Sequence, residues 1–260
     1  MKTIQISIAG AAGRMGSSII SEAAKTRDIK IAGLYEKTGH ALVGREVAGV
    51  EVCGNIKKAS ESADVIVDFT SPEATVSHAR WCAKTGKAMI IGTTGFSSKQ
   101  RKEIERAAKS FPCVIAPNMS IGINLLESVV AEAARKLGTD FDIEVVEAHH
   151  SAKTDAPSGT ALALARAAAG ARGKTLEKTA VCAREGTDNK RGKNEIGIQS
   201  IRGGDTPGDH TVFFLGRGER VEFSHKAHGR EIFAAGAIKA VRWVGSKPAG
   251  IYEMKEVLGL

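Results

Sequence analysis

The chain has 260 residues, of which 42% are hydrophobic and 25% charged, so it can bury a full core as one large domain or two modest ones. Its formal net charge is +8, but the basic residues are spread out and aromatics are only 5%, so we expect no nucleic-acid partner. No apolar run reaches membrane-spanning length, so we expect no membrane partner.

The first predicted elements are a strand, a glycine loop and a helix. Residues 4–9 alternate β-branched with other residues, and the loop 10–16, with glycines spaced G-x-x-G-x-x-G, follows directly. This order is typical of a dinucleotide-binding βαβ unit, although the usual fingerprint is G-x-G-x-x-G. A second strand, 29–35, ends at Glu36, where a carboxylate can accept hydrogen bonds from the adenosine ribose.

Strands and helices then alternate along the chain. The predicted strands lie at 64–69, 88–91 and 113–116, and the predicted helices at 74–84 and 98–109. Alternation of this kind predicts a Rossmann-type, doubly wound parallel sheet. Small or polar residues follow three strands, at 10–16, 92–95 and 116–120. Ligands bind beyond the carboxyl ends of such strands, so we expect a cofactor cleft there.

The pattern changes after an amphipathic helix at 124–137. Few helices separate the next strand-like runs, which predicts an α+β domain with a mixed or antiparallel sheet. These runs are 142–147, 181–183, 197–201, 210–215 and 220–225. The polar segment 184–194 is either a lid or a solvated hairpin, and a last amphipathic helix is predicted at 231–244.

We therefore expect two domains. Residues 1–122 would bind the dinucleotide, and residues 123–230 would bind substrate and form oligomer contacts. The C-terminal segment 231–260 would pack back on the first domain. The four cysteines are scattered and form no C-x-x-C pair, which predicts reduced thiols in a cytoplasmic protein.

The segment 147–162, EAHHSAKTDAPSGTAL, is the most informative in the chain. His149, His150 and Lys153 are three hydrogen-bond donors suited to an anion. No third ligand stands at helical spacing and there is no His-Glu-x-x-His, so we expect no metal. Lysine and histidines should repel one another as cations in the empty site, which disfavours protonated histidine until an anion binds.

A helix is predicted to begin directly after these cations. Asp155 or Ser158 can cap it, Pro157 suits its first turn, and Gly159 leaves the backbone uncovered. Free N–H groups at a helix start bind carboxylate or phosphate well. The segment therefore predicts a site for a small, multiply anionic substrate.

Three motifs, in this order, resemble the bacterial dihydrodipicolinate reductase family, also called 4-hydroxy-tetrahydrodipicolinate reductases. They are G-x-x-G-R-M-G at 10–16, G-T-T-G at 92–95 and H-H-x-x-K-x-D-A-P-S-G-T at 149–160. The resemblance covers essentially the whole chain and includes residues 68–73 and 200–205. The His-His-x-x-Lys segment with its Pro-Ser-Gly-Thr turn is its most specific element.

The resemblance implies the reaction and the residue roles. Reduced nicotinamide cofactor, NADH or NADPH, delivers hydride to a cyclic, unsaturated dicarboxylate on the diaminopimelate route to lysine. His149 would be the proton donor or acceptor and Lys153 a proton donor near the ring nitrogen, while His150, Gly159 and Thr160 would hold the carboxylates. The cofactor would be lined by Gly10, Ala11, Ala12, Gly13, Arg14, Met15, Glu36, Lys37, Gly92, Thr93, Thr94, Ala116, Pro117, Asn118 and Met119.

Two of these residues bear on the choice of cofactor. Glu36 favours NADH because a carboxylate repels the 2′-phosphate of NADPH, whereas Lys37 beside it attracts that phosphate. We predict use of both cofactors, with NADH at least as good. Met119 would line the cofactor with apolar bulk where the family usually carries an aromatic side chain.

Two alternatives stay open from the residues alone. Another two-domain dehydrogenase, acting on an amino acid or a semialdehyde, would share the first half without needing His149, His150 and Lys153. A nucleotide-sensing module that has lost catalysis would keep the glycine loop but lose the lysine or a histidine. The resemblance further suggests a homotetramer built through the sheet of the second domain.

Overall fold

A computed structural model describes residues 3–260 of the chain. The chain divides into two compact units. Of the described residues, unit 1 comprises 3–121 and Arg230–Leu260, and unit 2 comprises Gly122–Gly229. Within the described range, no helix is both long and apolar enough to cross a membrane.

The helices and strands follow in chain order. They are β1 (Ile4–Ala9), α1 (Arg14–Ala24), β2 (Ile29–Tyr35), β3 (Glu46–Val47), β4 (Val50–Cys53), α2 (Ile56–Ala59), β5 (Val65–Asp68), α3 (Pro72–Thr85), β6 (Ala88–Ile91), α4 (Ser98–Ala107), β7 (Pro112–Ile115), α5 (Ile121–Leu137), β8 (Asp142–His149), α6 (Gly159–Ala171), α7 (Leu176–Thr179), β9 (Ala180–Val181), β10 (Ile196–Arg202), β11 (Asp209–Leu215), β12 (Arg220–Lys226), α8 (Glu231–Val244), β13 (Gly250–Tyr252) and α9 (Met254–Leu258). Short 3-10 turns at Ala108–Ser110 and Gly138–Asp140 follow α4 and α5.

An eight-stranded sheet forms the middle of unit 1, in the order β13-β7-β6-β5-β1-β2-β4-β3. Its pairs are parallel apart from β3 with β4. In β5, Val65 and Val67 join the core beneath α1 and α8, while Ile66 joins the core beneath α3 and α4. Helices thus cover both faces, and the expected Rossmann-type doubly wound sheet is confirmed.

The segment between β2 and β5 contains structure that the sequence did not reveal. Strands β3 and β4 pair antiparallel, and β4 extends the sheet beside β2. These strands have two and four residues. Runs this short show no hydrophobic period, so only tertiary pairing identifies them.

A five-stranded sheet forms unit 2, in the order β12-β11-β8-β10-β9. Strand β8 pairs parallel with β10 and antiparallel with β11, which confirms the expected mixed sheet of an α+β domain. Leu164 and Ala168 of α6 pack with Ile143 and Val145 of β8 in the core of this unit. Successive side chains of β8 therefore alternate between a covered and a more open face.

Some element limits differ from the predicted ones. The strand predicted at 181–183 is the two-residue β9, and residues 182–195 form no helix or strand. The one-turn helix α7 precedes β9 and was not predicted. Polar residues dominate this stretch, so its hydrophobic pattern is too weak to set boundaries.

Candidate active site

The glycine loop of unit 1 lies at the carboxyl end of β1, where close packing requires glycine. Gly10 has φ +84°, and a Cβ there would lie 2.5 Å from the carbonyl oxygen of Phe69. A Cβ on Gly16 would lie 2.1 Å from the carbonyl oxygen of Gly10. Within the described residues no side chain caps the first turn of α1. Its N–H groups are therefore presented by backbone alone, as in an anion site.

Glu36 follows β2 and holds this loop directly. Its Oε2 accepts a hydrogen bond from the backbone N–H of Ala12 at 3.1 Å, and its Oε1 accepts one from Lys37 N–H at 3.1 Å. The pocket at this point is lined by Gly10, Ala12, Gly13, Tyr35, Glu36, Lys37, His40, Phe69, Thr70, Ser71 and Ala74. The structure thus brings five predicted cofactor residues together and adds six others, which are Tyr35, His40, Phe69, Thr70, Ser71 and Ala74.

Asp68, the last residue of β5, is fully buried at the centre of a hydrogen-bond cluster. Its Oδ1 accepts from the hydroxyls of Thr70, Thr75 and Thr93 at 2.7 to 3.0 Å. Its Oδ2 lies 2.5 Å from Nδ1 of His78, which is 2% exposed. We call these five residues the Asp68–His78 cluster. Thr93 is predicted to line the cofactor, and its hydroxyl is used inside this cluster.

The remaining predicted cofactor residues differ in exposure. Thr94, Gly13, Arg14, Lys37 and Pro117 are exposed, Ala12, Met15, Glu36, Gly92 and Asn118 are half-buried, and Ala11 and Ala116 are buried. A Cβ on Gly92 would lie 2.0 Å from the Phe69 ring, so this turn also packs too closely for a side chain.

Met119 is placed differently from its predicted role. Its side chain is 2% exposed and packs in the core of unit 1. Helix α8 presses on the same turn, since a Cβ on Gly236 would lie 1.7 Å from the carbonyl oxygen of Met119. The apolar side chain therefore fills the core instead of lining a cofactor surface.

In unit 2, the predicted catalytic histidine ends a strand that buries it. Ile143, Val145, Glu147 and His149 all lie on the buried face of β8. The first two belong to the core, and the last two continue the same face to the carboxyl end of the strand. A carboxylate at such a position is stable only with hydrogen-bond partners.

The Glu147 carboxylate is fully buried and has partners at both oxygens. Its Oε2 lies 2.6 Å from Nδ1 of His149, and Arg202 donates one hydrogen bond to each oxygen at 2.7 Å. The backbone N–H of Ser158 donates to Oε1 at 3.1 Å. Burial alone raises the pKa of Glu147, but hydrogen bonds from Arg202, Ser200, His149 and Ser158 outweigh it and lower that pKa to about 2.

The strand register explains why these groups meet. Arg202 of β10 is the partner of His149 in the parallel pair, and His210 of β11 is the partner of Glu147 in the antiparallel pair. The His210 ring lies edge-on to His149 with centroids 5.1 Å apart. Burial lowers the pKa of His210 to about 4, helped by the neighbouring His149, so His210 is neutral at neutral pH.

Gly208 lies beside the other ring nitrogen of His149. A Cβ on Gly208 would approach Nε2 of His149 to 2.9 Å. Because Glu147 already holds the ring at Nδ1, the imidazole has little freedom to move aside. A glycine at 208 therefore leaves space next to Nε2.

The segment after β8 carries the other predicted residues. Lys153 Nζ donates to Oδ1 of Asp155 at 2.8 Å, and this hydrogen bond lowers the pKa of Asp155. Carboxylates thus pair with both Lys153 and His149, and the repulsion between cations in the empty site stays a prediction. His150 is half-buried, and its backbone N–H donates to the carbonyl of Thr206 at 2.8 Å.

The start of α6 resolves the predicted caps. Ser158 is the N-cap, and its hydroxyl accepts from the N–H of Ala161 at 3.1 Å. Pro157 precedes the cap instead of lying in the first turn, because the helix begins at Gly159. Gly159 is exposed, a Cβ there would meet open space, and Thr160 next to it is half-buried.

The sequence missed five residues of this site as functional groups: Glu147, Ser200, Arg202, Gly208 and His210. The alternation of β8 was a usable signal, since it places Glu147 and His149 on the face of Ile143. No local signal pointed to His210, because its place depends on the pairing of β11 with β8. Across residues 3–260, no group of three or more His, Cys, Asp or Glu could hold a metal ion.

Comparison with known families gives two matches. The family described as dihydrodipicolinate reductase, N-terminus, matches residues 4–119, and the one described as dihydrodipicolinate reductase, C-terminus, matches residues 122–258. The 4-hydroxy-tetrahydrodipicolinate reductase of Syntrophobacter fumaroxidans is 49% identical over 99% of each chain. That of Geobacter metallireducens is 43% identical over 99% of each chain.

Solved structures share the fold. A dihydrodipicolinate reductase from Paenisporosarcina with bound dipicolinate superposes with a TM-score of 0.80 at 24% identity, covering 98% of each chain. An engineered D-amino acid dehydrogenase bound to NADP+ gives a TM-score of 0.58 at 16% identity, covering 98% of this chain and 94% of the other. At these identities the likeness concerns the fold alone.

Proposed function

The chain belongs to the dihydrodipicolinate reductase family, and from this premise we propose how its residues divide the work of the reaction. The chain catalyses the NAD(P)H-dependent reduction of 4-hydroxy-tetrahydrodipicolinate to tetrahydrodipicolinate in the diaminopimelate route to lysine. Unit 1 binds the cofactor and unit 2 binds the dicarboxylate. Because both halves match this family, the two alternatives raised by the residues alone are set aside.

The residues at the strand ends of unit 1 fit a dinucleotide. Gly10 cannot take a Cβ, no side chain caps the first turn of α1 in the described chain, and Glu36 borders the same pocket. The N–H groups of the first turn of α1, at Arg14 and Met15, hold the pyrophosphate, and the Glu36 carboxylate accepts from the adenosine ribose. The reduced cofactor, when bound, supplies the hydride.

Both cofactors are used, and NADH is at least as good as NADPH. Hydrogen bonds from the Ala12 and Lys37 N–H groups fix the Glu36 carboxylate, so its negative charge stays close to the adenosine ribose and repels a 2′-phosphate. The exposed, positively charged Lys37 side chain attracts a 2′-phosphate and so counteracts the repulsion by Glu36. The measurement is kcat/KM with each cofactor for wild type and Lys37→Ala. Lys37→Ala should lose activity mainly with NADPH, and a strong wild-type preference for NADPH would contradict the proposal.

In unit 2, His149 exchanges the proton at carbon and Lys153 donates a proton near the ring nitrogen. His150, Gly159 and Thr160 hold the carboxylates. The observation that carries this assignment is that His150 and Lys153, both hydrogen-bond donors, stand directly ahead of an exposed helix start, where Gly159 leaves open space. Asp155 holds the Lys153 ammonium before substrate arrives. A bound carboxylate then competes with Asp155 for that ammonium.

The test is NADH oxidation at 340 nm with substrate freshly made from pyruvate and aspartate semialdehyde. Wild type should turn over rapidly, and Lys153→Ala should lose about 10²–10⁴-fold in kcat if it donates a proton. Asp155→Ala is the matched control, because it frees the ammonium without removing it. Nucleotide binding without turnover by the wild type would refute the reaction, whereas normal turnover by Lys153→Ala would refute only the role of Lys153.

The chain assembles as a homotetramer through the sheet of unit 2. The more open face of this sheet carries Val146, Ile201, Phe213 and Leu215, and Ile201 is 55% exposed. Apolar side chains on the same open face of a sheet favour burial against another subunit. Analytical ultracentrifugation should give four times the chain mass, and Ile201→Lys should yield smaller species. A monomeric wild type would contradict this arrangement.

The protein works in the cytoplasm. Its four cysteines, at 53, 82, 113 and 182, are free thiols. Burial raises the pKa of Cys113 to about 12, so this thiol stays protonated and unreactive at neutral pH. Fractionation of the source cells, followed by immunoblotting, checks the location. Recovery of the protein outside the cytoplasmic fraction would refute it.

A further inference from the structure

The geometry points to Glu147 as a positioning residue that, with Arg202, selects the tautomer of His149. In this tautomer Nδ1 carries hydrogen and Nε2 is the atom that exchanges the proton. The inference deepens the proposed function, because it rests on His149 as the proton-exchanging group. It assigns a task to Glu147 and Arg202, neither of which gives or takes the transferred proton.

The first step concerns the charge of Glu147. Both of its oxygens accept hydrogen bonds from Arg202 at 2.7 Å, and Oε1 also accepts the Ser158 N–H. These donors surround a carboxylate that is fully buried. An ionised carboxylate has lone pairs but no hydrogen to give, so every neighbour in contact with it must be a donor.

The second step concerns the imidazole. Its Nδ1 lies 2.6 Å from Oε2 of Glu147, within hydrogen-bond distance. Because the carboxylate can only accept, Nδ1 must carry the hydrogen in both the neutral and the protonated ring. In the neutral ring Nε2 then has a free lone pair, and in the protonated ring Nε2–H is the bond that can break.

The third step is the proton balance. When the protonated ring acts as an acid, the Nε2–H bond breaks, its electron pair stays on Nε2, and the proton moves to the substrate carbon. The ring returns to its neutral Nδ1–H form, and Glu147 stays ionised throughout. Space for this exchange exists beside Nε2, because Gly208 has no side chain there.

Arg202 prevents the alternative in which Glu147 takes the proton. It belongs to β10, and its Nη2 also donates to the carbonyl of Asp155 at 2.7 Å, which anchors the guanidinium on two sides. The ionisable groups around the ring are thus Glu147 on β8, Arg202 on β10, neutral His210 on β11, and the Lys153–Asp155 pair in the following loop. A bidentate arginine fixes the carboxylate plane as well as its charge.

A structural role alone would give different results. The same hydrogen bonds join β8, β10 and the start of α6, so any change at Glu147 lowers stability. Stability, however, does not set which ring nitrogen carries hydrogen. The decisive readout is therefore the tautomer and not the activity.

The primary experiment uses the wild-type protein and needs no variant to fold. Histidine labelled with ¹⁵N in the ring is incorporated, and the signals of His149 are identified by their loss in His149→Gln. The ring nitrogen shifts and their couplings are followed from pH 5 to pH 9. We expect Nδ1 to stay protonated and Nε2 to titrate. A neutral ring with hydrogen on Nε2 overturns the proposal.

Two variants then connect the tautomer to turnover. In Glu147→Gln one of the two oxygens becomes an NH2 group, which meets an Arg202 donor whichever way the amide is turned. Neither orientation of the amide is then well satisfied, so the His149 ring loses its fixed tautomer. We expect kcat to fall about 10²–10⁴-fold. The ionisation in kcat/KM that disappears in His149→Gln should also move to lower pH. Arg202→Lys, which keeps the charge but loses the bidentate contact, should fall less.

The matched control is Glu144→Gln on the same strand. Glu144 is half-buried, and its Oε1 lies 3.4 Å from Nη2 of Arg184, but it is outside the site. It should keep wild-type kcat and the wild-type pH profile. If Glu147→Gln keeps the wild-type pH profile while only its melting temperature falls, Glu147 is structural and the inference fails. If the tautomer is as expected but His149→Gln is fully active, the proposed role of His149 fails instead.

Discussion

The two units each bury a carboxylate–histidine pair at the carboxyl end of a strand. In unit 1, Oδ2 of Asp68 lies 2.5 Å from Nδ1 of His78, and in unit 2, Oε2 of Glu147 lies 2.6 Å from Nδ1 of His149. The second oxygen of Asp68 is occupied by threonine hydroxyls, whereas Arg202 binds both oxygens of Glu147.

The environments of the two rings differ more than the pairs themselves. His78 lies on a helix, is 2% exposed and is covered edge-on by the ring of Tyr35 at 5.1 Å. His149 ends its strand beside Gly208, with space next to Nε2. A buried carboxylate–histidine pair by itself therefore does not identify a catalytic group. The access left to the second ring nitrogen decides whether the pair supports the fold or exchanges protons.

The largest effect should distinguish the activity of a His149 variant from that of a variant at the neighbouring His150. His149→Gln should lower kcat about 10²–10⁴-fold with little loss of cofactor affinity, since the proton-exchanging group is gone. His150→Gln is the neighbouring control, and a residue that only holds a carboxylate should show its loss mainly in KM. Steady-state kinetics on both variants make the comparison. Equal kcat values in wild type and His149→Gln would contradict it.

The next effect should separate the two carboxylates by stability. Asp68→Asn leaves the His78 ring and three threonine hydroxyls around an amide, so we expect a loss of about 3 kcal/mol in unfolding free energy. Urea unfolding followed by circular dichroism measures this loss. Glu73→Gln is the control, because Glu73 lies on the exposed start of α3. An Asp68→Asn protein as stable as this control would show that the Asp68–His78 cluster does not support the fold.

A smaller effect should come from the space beside Nε2. Gly208→Ala brings a Cβ to 2.9 Å from Nε2 of His149, so we expect roughly a tenfold or greater loss in kcat. Gly159→Ala adds a Cβ where the structure has open space, so its melting temperature should not change and only KM should rise. Kinetics and thermal unfolding of both variants test the contrast. A fully active Gly208→Ala would show that Nε2 is not the exchanging atom.

The smallest effect concerns pH and stability. Burial depresses the pKa of His210 from 6.5 to about 4, so the unfolded chain binds a proton that the folded chain excludes between these values. The contribution of neutral His210 to the free energy of unfolding is fully present above pH 6.5. It is lost as pH falls toward 4, by up to about 3 kcal/mol. Unfolding free energies at pH 7 and pH 5 for wild type and His210→Gln measure it. The variant should lose less on acidification, and an equal loss would rule out His210 as the cause.

Much of the fold was predictable because its signals are local. The alternation of buried strands with helices identified the Rossmann-type sheet, and helix 231–244 was found to the residue. The short strands β3, β4 and β9 were missed or shifted because they are too brief to show a period. The resemblance implies that Met119 lines the cofactor, whereas packing beneath α8 places its side chain in the core.

The sequence by itself determined the chemistry available to this protein. A glycine loop after a strand, an acid after the next strand, and His149, His150 and Lys153 ahead of a helix are each contained in a few consecutive residues. Their meaning depends on residue type and spacing, which a chain carries without folding.

Only the tertiary structure decided how that chemistry is held. Glu147, Arg202 and His210 lie on three strands far apart in the chain, and they meet through the register of β8 with β10 and β11. Long-range pairing of this kind leaves no local pattern, because the sequence pattern of a strand does not depend on which other strand pairs with it. The tertiary structure therefore determines which carboxylate orients His149 and which ring nitrogen lies beside Gly208.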